Sequence, residues 1–111
     1  MMKELLQKRR SIRKYTDAPI EQEKIDQLIR AALLSPTSRN SRPWEFIFVD
    51  DKELLEKLSH SKAGAQPIGK SVLGIVVCAD PQKSDVWIED TSIATILLQL
   101  QAQDLGLGSC W

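Results

Sequence analysis

Three arginines and a serine stand together near the amino end of the chain, in the segment Arg9-Arg10-Ser11-Ile12-Arg13. A planar guanidinium group donates paired, charge-assisted hydrogen bonds to phosphate, and the Ser11 hydroxyl between the arginines adds a neutral donor. The segment therefore indicates a contact with phosphate or nucleic acid. A solvated surface segment that only aids solubility would have the same residues, and the two interpretations are evenly balanced.

A second polar segment, Ser35–Trp44, precedes a stretch of high β propensity. Hydroxyl, amide and guanidinium groups crowd these ten residues, at Ser35, Thr37, Ser38, Arg39, Asn40, Ser41 and Arg42. Polar loops beside a rigid sheet edge are frequent places for binding sites. The alternative is a connection whose polar groups satisfy its own backbone, and without further context neither interpretation is favoured.

Other chemistries have little support in the sequence. His60, the only histidine, has no partner at metal-ligand spacing, so no metal site is expected. Cys78 and Cys110 are too few for a disulfide framework and fit a reducing cytoplasm, with Cys78 expected in the core. The glycine motifs of dinucleotide, nucleoside-triphosphate and hydrolase sites are absent, and no catalytic acid, base or nucleophile is identified.

The elements that must position these segments follow from hydrophobic periodicity and turn residues. Apolar residues recur at helical spacing from Ile25 to Leu33, and that helix must end near Ser35 because Pro36 disfavours helix at the residue before it. Four helices are predicted: Met2–Arg9, Glu21–Ser35, a third that Asp50 or Asp51 caps, and Asp85–Leu105. In the first of them, Leu5 and Leu6 are expected to face inward. The predicted strands are Glu45–Val49 and Ser71–Ala79.

The last helix has the strongest pattern. Its predicted inner line is Ile88, Ser92, Thr95, Leu98 and Ala102, and Gly106 is a natural carboxyl-terminal stop. Small and polar residues in its middle would permit a close approach of another helix. Only two strands accompany four helices, and two strands alone make a poor sheet.

Composition limits the class of protein. The 111 residues are expected to form one domain, and the net charge of zero excludes a globally basic nucleic-acid binder. The first 14 residues nevertheless carry six basic residues against one acidic residue, a local excess that fits an anion site, although charge alone favours a solvated surface helix. No apolar run of about 18 residues and no signal-peptide pattern occurs, so a cytoplasmic protein without a membrane contact is expected.

Taken in order, three motifs resemble the nitroreductase family of FMN-dependent oxidoreductases. Arg9 to Tyr15 resembles its RRSxRxF element, Ser35 to Trp44 its APSxxNxQPW loop, and Asp90 to Trp111 its long helix ending in GLGSxW. The resemblance implies an α+β, nitroreductase-like fold with a central sheet flanked by helices, over residues 1–111. Family members continue past GLGSxW, so we expect this chain to be the amino-terminal portion of a longer fold. Arg42 stands where the family has Gln.

The resemblance also implies a cofactor, FMN, and a homodimer whose two FMN sites are shared between subunits. Carried over by position, Arg9 would contact the phosphate, Arg13 the pyrimidine edge, and Arg10 and Ser11 the ribityl and phosphate. A second set would reach the flavin bound mainly by the other subunit: Pro36, Thr37, Ser38 and Asn40. The long helix would form much of the dimer interface. A cation at Arg13 would stabilise the negative charge of the reduced flavin and raise its reduction potential.

The implied activity is transfer of electrons from NAD(P)H to a nitroaromatic, quinone or related electron-poor acceptor by a ping-pong mechanism. An alternative from another class is a non-catalytic remnant that acts as a dimerising or flavin-holding module. A third, nucleic-acid binding by the basic segment, is disfavoured by the acidic remainder of the chain and the lack of interleaved aromatic residues.

Overall fold

The computed structural model describes residues 1–111. Its elements in chain order are α1 (Met2–Lys8), α2 (Gln22–Leu33), β1 (Trp44–Val49), α3 (Lys52–Ser59), β2 (Gly74–Ala79) and α4 (Trp87–Asp104), with short 3-10 turns at Ser38–Asn40 and Gln66–Lys70. All four predicted helices and both predicted strands are present within a few residues of their predicted bounds. No helix combines the length and hydropathy needed to span a bilayer.

The two strands form one antiparallel pair, with Trp44 opposite Ala79 and Val49 opposite Gly74. Because side chains alternate along a strand, the opposed pairs divide between two faces of the sheet. The inner face packs on the helices through Phe46, Phe48, Ile75 and Val77.

The outer face of the sheet corrects one prediction. Cys78 is not in the core but exposed, like Glu45 opposite it, because α3 covers this face only at its other end, near Gly74. An apolar run identifies a strand but does not say which of its two faces is covered.

The core lies between α2, α4 and the inner face of the sheet. Leu28 and Ala32 of α2 meet Leu98 and Ala102 of α4, and all four side chains are buried. Leu28 and Ala32 lie on the inward stripe predicted for α2. By contrast, α1 buries no residue, and Leu6, predicted to face inward, is 61% exposed.

A second packing unit joins α3 to the start of β2. Asp51 accepts a hydrogen bond from the Leu54 N–H at 3.0 Å, which confirms one of the two predicted helix caps. Leu55 is fully buried beneath β2. A Cβ atom at Gly74 would lie 2.9 Å from Leu55 Cδ2 and from Ile68 Cδ1, so glycine allows strand and helix to approach closely without a shift of these side chains.

The buried side of α4 differs from the predicted line. It runs through Asp90, Ala94, Leu98 and Ala102, whereas Ile88 is 58% exposed. Leu98 and Ala102 are buried as predicted, but the first turn of α4 buries Asp90, which contacts two loops, in place of Ile88. Apolar residues consequently lie on more than one side of α4, and Ile93 and Ile96 remain partly exposed.

Candidate functional site

The arginine segment is held beside the carboxyl-terminal turn by one short backbone bridge. Ser11 pairs in parallel with Ser109, and the Ile12 N–H donates to the Ser109 carbonyl at 2.8 Å. A Cβ atom at Gly108 would lie 3.0 Å from Ile12 Cγ2, so glycine at this position permits the close approach. The bridge fixes the backbone at the centre of the segment.

The three guanidinium groups of this segment are not equivalent. Arg10 Nη1 donates to the carbonyls of Gln7 at 2.7 Å and of Arg9 at 2.8 Å, and so caps the end of α1. Arg9 is half-buried and Arg13 is exposed, and neither forms a salt bridge within the chain. Arg9 and Arg13 are therefore cations without an ion-pair partner, on either side of the bridged Ser11.

Tyr15 completes this end of the molecule and was identified from the sequence only as part of a motif. Its hydroxyl donates to the Ile12 carbonyl. Burial raises the pKa of the Tyr15 phenol, the nearby Cys110 thiol raises it further, and the positive charge of Arg13 lowers it. The three side chains are thus close enough to influence one another, although Arg13 and Cys110 are 97 residues apart.

The second predicted segment forms a strained turn. Three residues without the freedom of glycine have positive φ there: Arg39 at 56°, Asn40 at 53° and Arg42 at 46°. Asparagine tolerates the left-handed region, but each arginine pays a cost of order 1–3 kcal/mol. The Thr37 hydroxyl accepts a hydrogen bond from the Arg42 N–H at 3.0 Å and closes the turn. Strain of this kind persists only where surrounding contacts impose it.

Asp90 supplies those contacts. Its carboxylate, on a residue 3% exposed, accepts a hydrogen bond from the Ser38 N–H at 3.0 Å and another from the Ser84 hydroxyl at 2.8 Å. Ser84 Oγ in turn accepts from the Val86 N–H at 3.2 Å. Sequence reasoning did not identify Asp90 or Ser84 as parts of this site. The available signal was the acidic pair Glu89-Asp90 at the start of a largely apolar helix pattern.

A cleft of about 340 Å³ lies between the strained turn and the loop before α4. It is lined only by polar and charged residues, which are Ser38, Arg39, Ser41, Gln82, Lys83, Ser84 and Asp85. Ser41 Oγ is buried without a hydrogen-bond partner, and so is Trp44 Nε1 at the start of β1. Of the predicted residues, Ser38 lines the cleft, Thr37 closes the turn, and Pro36 and Asn40 are exposed at the surface.

The structure does not bring the two predicted segments together within one chain. The strained turn is anchored to Asp90 in the first turn of α4, whereas the arginine segment is anchored to Ser109, beyond its last turn. Asp90 and Asp104 alone are separated by about 21 Å along the helix axis. The two sets of polar groups therefore lie at opposite ends of α4.

Comparison with known proteins gives consistent matches. The profile of the Nitroreductase family matches residues 6–89. A candidate NADH dehydrogenase/NAD(P)H nitroreductase of Archaeoglobus fulgidus is 44% identical over 107 residues, covering 93% of this chain and 62% of that protein. An FMN reductase [NAD(P)H] of Bacillus subtilis is 38% identical over 81 residues, covering 73% of this chain and 32% of that protein.

Solved structures match as well. An FMN-dependent nitroreductase from Clostridium difficile superposes with a TM-score of 0.93 at 56% identity, covering 96% of this chain and 63% of that one. The nitroreductase-like fold predicted from the motifs is thereby confirmed. The chain spans about three fifths of the length of the Archaeoglobus fulgidus protein and of this structure.

Proposed function

Since the chain belongs to the nitroreductase family, we propose that it carries part of an FMN-dependent oxidoreductase that passes electrons from NAD(P)H to an electron-poor acceptor. The observation that carries the proposal is the pair of guanidinium groups, Arg9 and Arg13, left without an ion-pair partner beside a bridged backbone. Unpaired cations held in a fixed segment suit a phosphate-bearing, negatively charged cofactor. The names of the matched relatives include an FMN reductase and an FMN-dependent nitroreductase, which supports that choice of cofactor.

The donor set fits FMN. Arg9 would bind the phosphate, Arg13 would lie at the pyrimidine edge, and Ser11 would contact the ribityl and phosphate with its exposed hydroxyl. Arg10 Nη1 donates to two carbonyls of the chain, and the other N–H groups of Arg10 would be free to contact the ribityl and phosphate. FMN, when bound, supplies hydride-transfer chemistry, and the positive charge of Arg13 would favour the electron-rich reduced cofactor.

A second copy of the chain would supply the other half of each site. Pro36, Thr37, Ser38 and Asn40 lie on the strained turn at the opposite end of α4, out of reach of the arginines of the same chain. Two chains that pack along α4 in opposite directions would place the turn of one beside the arginine segment of the other. The partly exposed Ile93 and Ile96 on α4 support such a helix–helix contact. We therefore propose a homodimer with two shared FMN sites.

The donor and the acceptor would use each site in turn. NAD(P)H would bind, give up two electrons and leave, and a nitroaromatic or quinone would then take its place. The chain offers no buried acid, base or nucleophile in the arginine segment, and a ping-pong exchange of this kind needs none. Free cysteines, here Cys78 and Cys110, fit the cytoplasm that the composition predicts.

Titration of the purified chain with FMN, under exclusion of oxygen, tests the proposal. We expect bound flavin, loss of its yellow colour on addition of NADH or NADPH, and recovery of the colour with a nitroaromatic or a quinone. Parallel lines in double-reciprocal plots would support the ping-pong mechanism. Protein that binds FMN but never bleaches would favour the flavin-holding module instead. Protein that takes up no FMN would contradict both.

A further inference from the structure

Asp90 is an unusual residue for its place in the fold. The other buried positions on its side of α4 are apolar, at Ala94, Leu98 and Ala102. A carboxylate there costs desolvation free energy that alanine or leucine would not cost. The salt bridges of the chain join Lys24 to Glu21 and His60 to Glu56, so no cation compensates the Asp90 charge. Core packing alone therefore does not explain why an aspartate occupies position 90.

The contacts of Asp90 indicate its role instead. An ionised carboxylate only accepts hydrogen bonds, and the two oxygens of Asp90 accept from two different loops. Oδ1 accepts from the Ser38 backbone N–H, and Oδ2 accepts from the Ser84 hydroxyl. Asp90 also lies in the first turn of α4, where acidic side chains are favourable beside the helix dipole. One side chain thus joins two loops to the start of the longest helix.

These two loops are the two walls of the polar cleft. Ser38 stands in the turn directly before Arg39, whose φ is 56°, and Ser84 stands on the facing wall, held also by the Val86 N–H. The hydrogen bond to the Ser38 backbone holds the turn at the point where its strain begins. Without it, nothing else among the side-chain hydrogen bonds joins the turn to α4, since the Thr37 hydroxyl bonds within the turn itself.

We propose that Asp90 is a positioning residue, which holds the Thr37–Asn40 turn in the conformation that contacts the flavin of the partner subunit. This inference rests on the proposed function, because FMN is the ligand that the turn would meet. Asp90 itself is buried beneath the turn and does not reach the ligand. Its effect on FMN passes through the Ser38 backbone and the facing wall at Ser84.

Four variants of the chain separate positioning from general stability. Asp90→Ala removes both hydrogen bonds, Asp90→Asn keeps an acceptor for Ser38 but loses the charge, and Ser84→Ala releases only the facing wall. Glu89→Gln is the matched control, because Glu89 is an exposed acid in the same helical turn. FMN dissociation constants, the visible spectrum of the bound flavin, thermal unfolding and amide hydrogen exchange at Ser38 are measured for each.

We expect Asp90→Ala to weaken FMN binding about 10-fold or more, as for loss of a hydrogen bond to a charged group. Asp90→Asn recovers part of the affinity, Ser84→Ala loses less than Asp90→Ala, and Glu89→Gln matches the wild type. Exchange at the Ser38 amide accelerates in the same order. If Asp90→Ala fails to fold, the Asn and Ser84 variants carry the test.

Two results would overturn the inference. Unchanged Ser38 exchange in Asp90→Asn and Ser84→Ala would show that the carboxylate does not hold the turn. Faster exchange with unchanged FMN affinity and flavin spectrum would show that Asp90 supports the fold and does not position the turn for flavin. Failure of the proposed function gives a different result, because the wild-type chain itself would then take up no FMN. Exchange at the Ser38 amide would still report its hydrogen bond to Asp90.

Discussion

The two ends of α4 hold polar groups in contrasting ways. At its amino end, the strained Thr37–Asn40 turn is fixed through the hydrogen bond that the Ser38 N–H donates to buried Asp90, and its backbone is bent into the left-handed region. At its carboxyl end, the arginine segment is fixed by its backbone, through the Ser11–Ser109 bridge, and its Arg9 and Arg13 side chains have no ion-pair partner. Both ends carry guanidinium groups without an ion-pair partner, since Arg39 and Arg42 also form no salt bridge, but only the turn has a backbone in the left-handed region.

Under the proposed function, neither end makes a complete site alone. A preformed turn can orient a planar ligand but brings little charge at Thr37 and Ser38. The arginine segment brings charge through Arg9 and Arg13, which form no salt bridge within the chain and are available to an anion. A site that combines the two ends must join the turn of one chain to the arginines of another.

Separation of the two chains is the most severe way to break the combined site. Ile96→Glu places a charge on the partly exposed face of α4, where we propose that a second copy packs. Ile96 is only 36% exposed, so the effect comes mainly from the introduced carboxylate, whose burial without a partner costs several kcal/mol; the change occurs in both copies, and dimer affinity should fall more than about 100-fold. Solution mass by light scattering and FMN uptake on the same sample should fall together.

Leu54→Glu is the control for that variant. Leu54 is 49% exposed on α3 and lies away from the proposed contact, so its solution mass and FMN uptake should remain those of the wild type. A monomeric wild-type chain that binds FMN fully would contradict the shared site.

Removal of charge from the arginine end should have the next largest effect. Arg9→Ala or Arg13→Ala should weaken FMN binding about 10- to 100-fold, because a hydrogen bond to a charged group contributes about 1.5–3 kcal/mol. Arg10→Ala should cost less affinity, since Arg10 already bonds the carbonyls at the end of α1. FMN fluorescence titrations measure all three. Lys3→Ala, an exposed cation on α1, serves as control, and equal losses at Arg10 and Arg9 would contradict the assignment.

The sequence predicted these two ends to different extents. The arginine segment and the turn were both located, because clustered guanidinium and hydroxyl groups are visible as residue types. Helix bounds followed from local signals such as Pro36, Asp51 and the periodicity of α2. What holds each segment was not predictable, because Ser38 and Asp90 are 52 residues apart and the Ser11–Ser109 bridge spans nearly the whole chain.

Backbone strain was equally invisible in the residue pattern. A positive φ is ordinarily signalled by glycine or asparagine, and Arg39 and Arg42 carry no such signal. The exposure of Cys78 escaped prediction for a related reason, since only the tertiary arrangement decides which face of a two-stranded sheet is covered. Long-range contacts, rather than propensity, determine all of these features.

Relief of strain in the turn should have a smaller, stabilising effect. Arg39→Gly and Arg39→Ala both remove the side chain, but only glycine adopts a φ of 56° freely. The free energy of unfolding in urea should be roughly 0.5–1 kcal/mol higher for Arg39→Gly than for Arg39→Ala. This difference includes the greater unfolded-state entropy of glycine. At Arg30, inside α2, the order should be the opposite: Arg30→Ala should be more stable than Arg30→Gly by about 1 kcal/mol. The same order at both positions would contradict the left-handed turn.

The smallest expected effect concerns the proximity of Arg13, Tyr15 and Cys110 at the carboxyl end of α4. Burial and the Cys110 thiol raise the pKa of Tyr15 above the ordinary value of 10.0, and Arg13 lowers it. The raised pKa means that the folded state favours the protonated phenol. Its contribution to stability is complete below pH 10 and is lost as the pH rises through the higher pKa of the folded chain.

Tyr15 is the only tyrosine, so its ionisation can be followed directly by tyrosinate absorbance in the folded chain. Cys110→Ser should lower its pKa by removing a negative neighbour, and Arg13→Ala should raise it by removing a positive one. Opposite shifts would place both side chains beside the phenol, and hence place the charge of Arg13 at the Ser109–Cys110 turn rather than free in solvent. If neither variant moves the titration, the backbone bridge alone orders this end, and Arg13 reaches its position only when an anion binds.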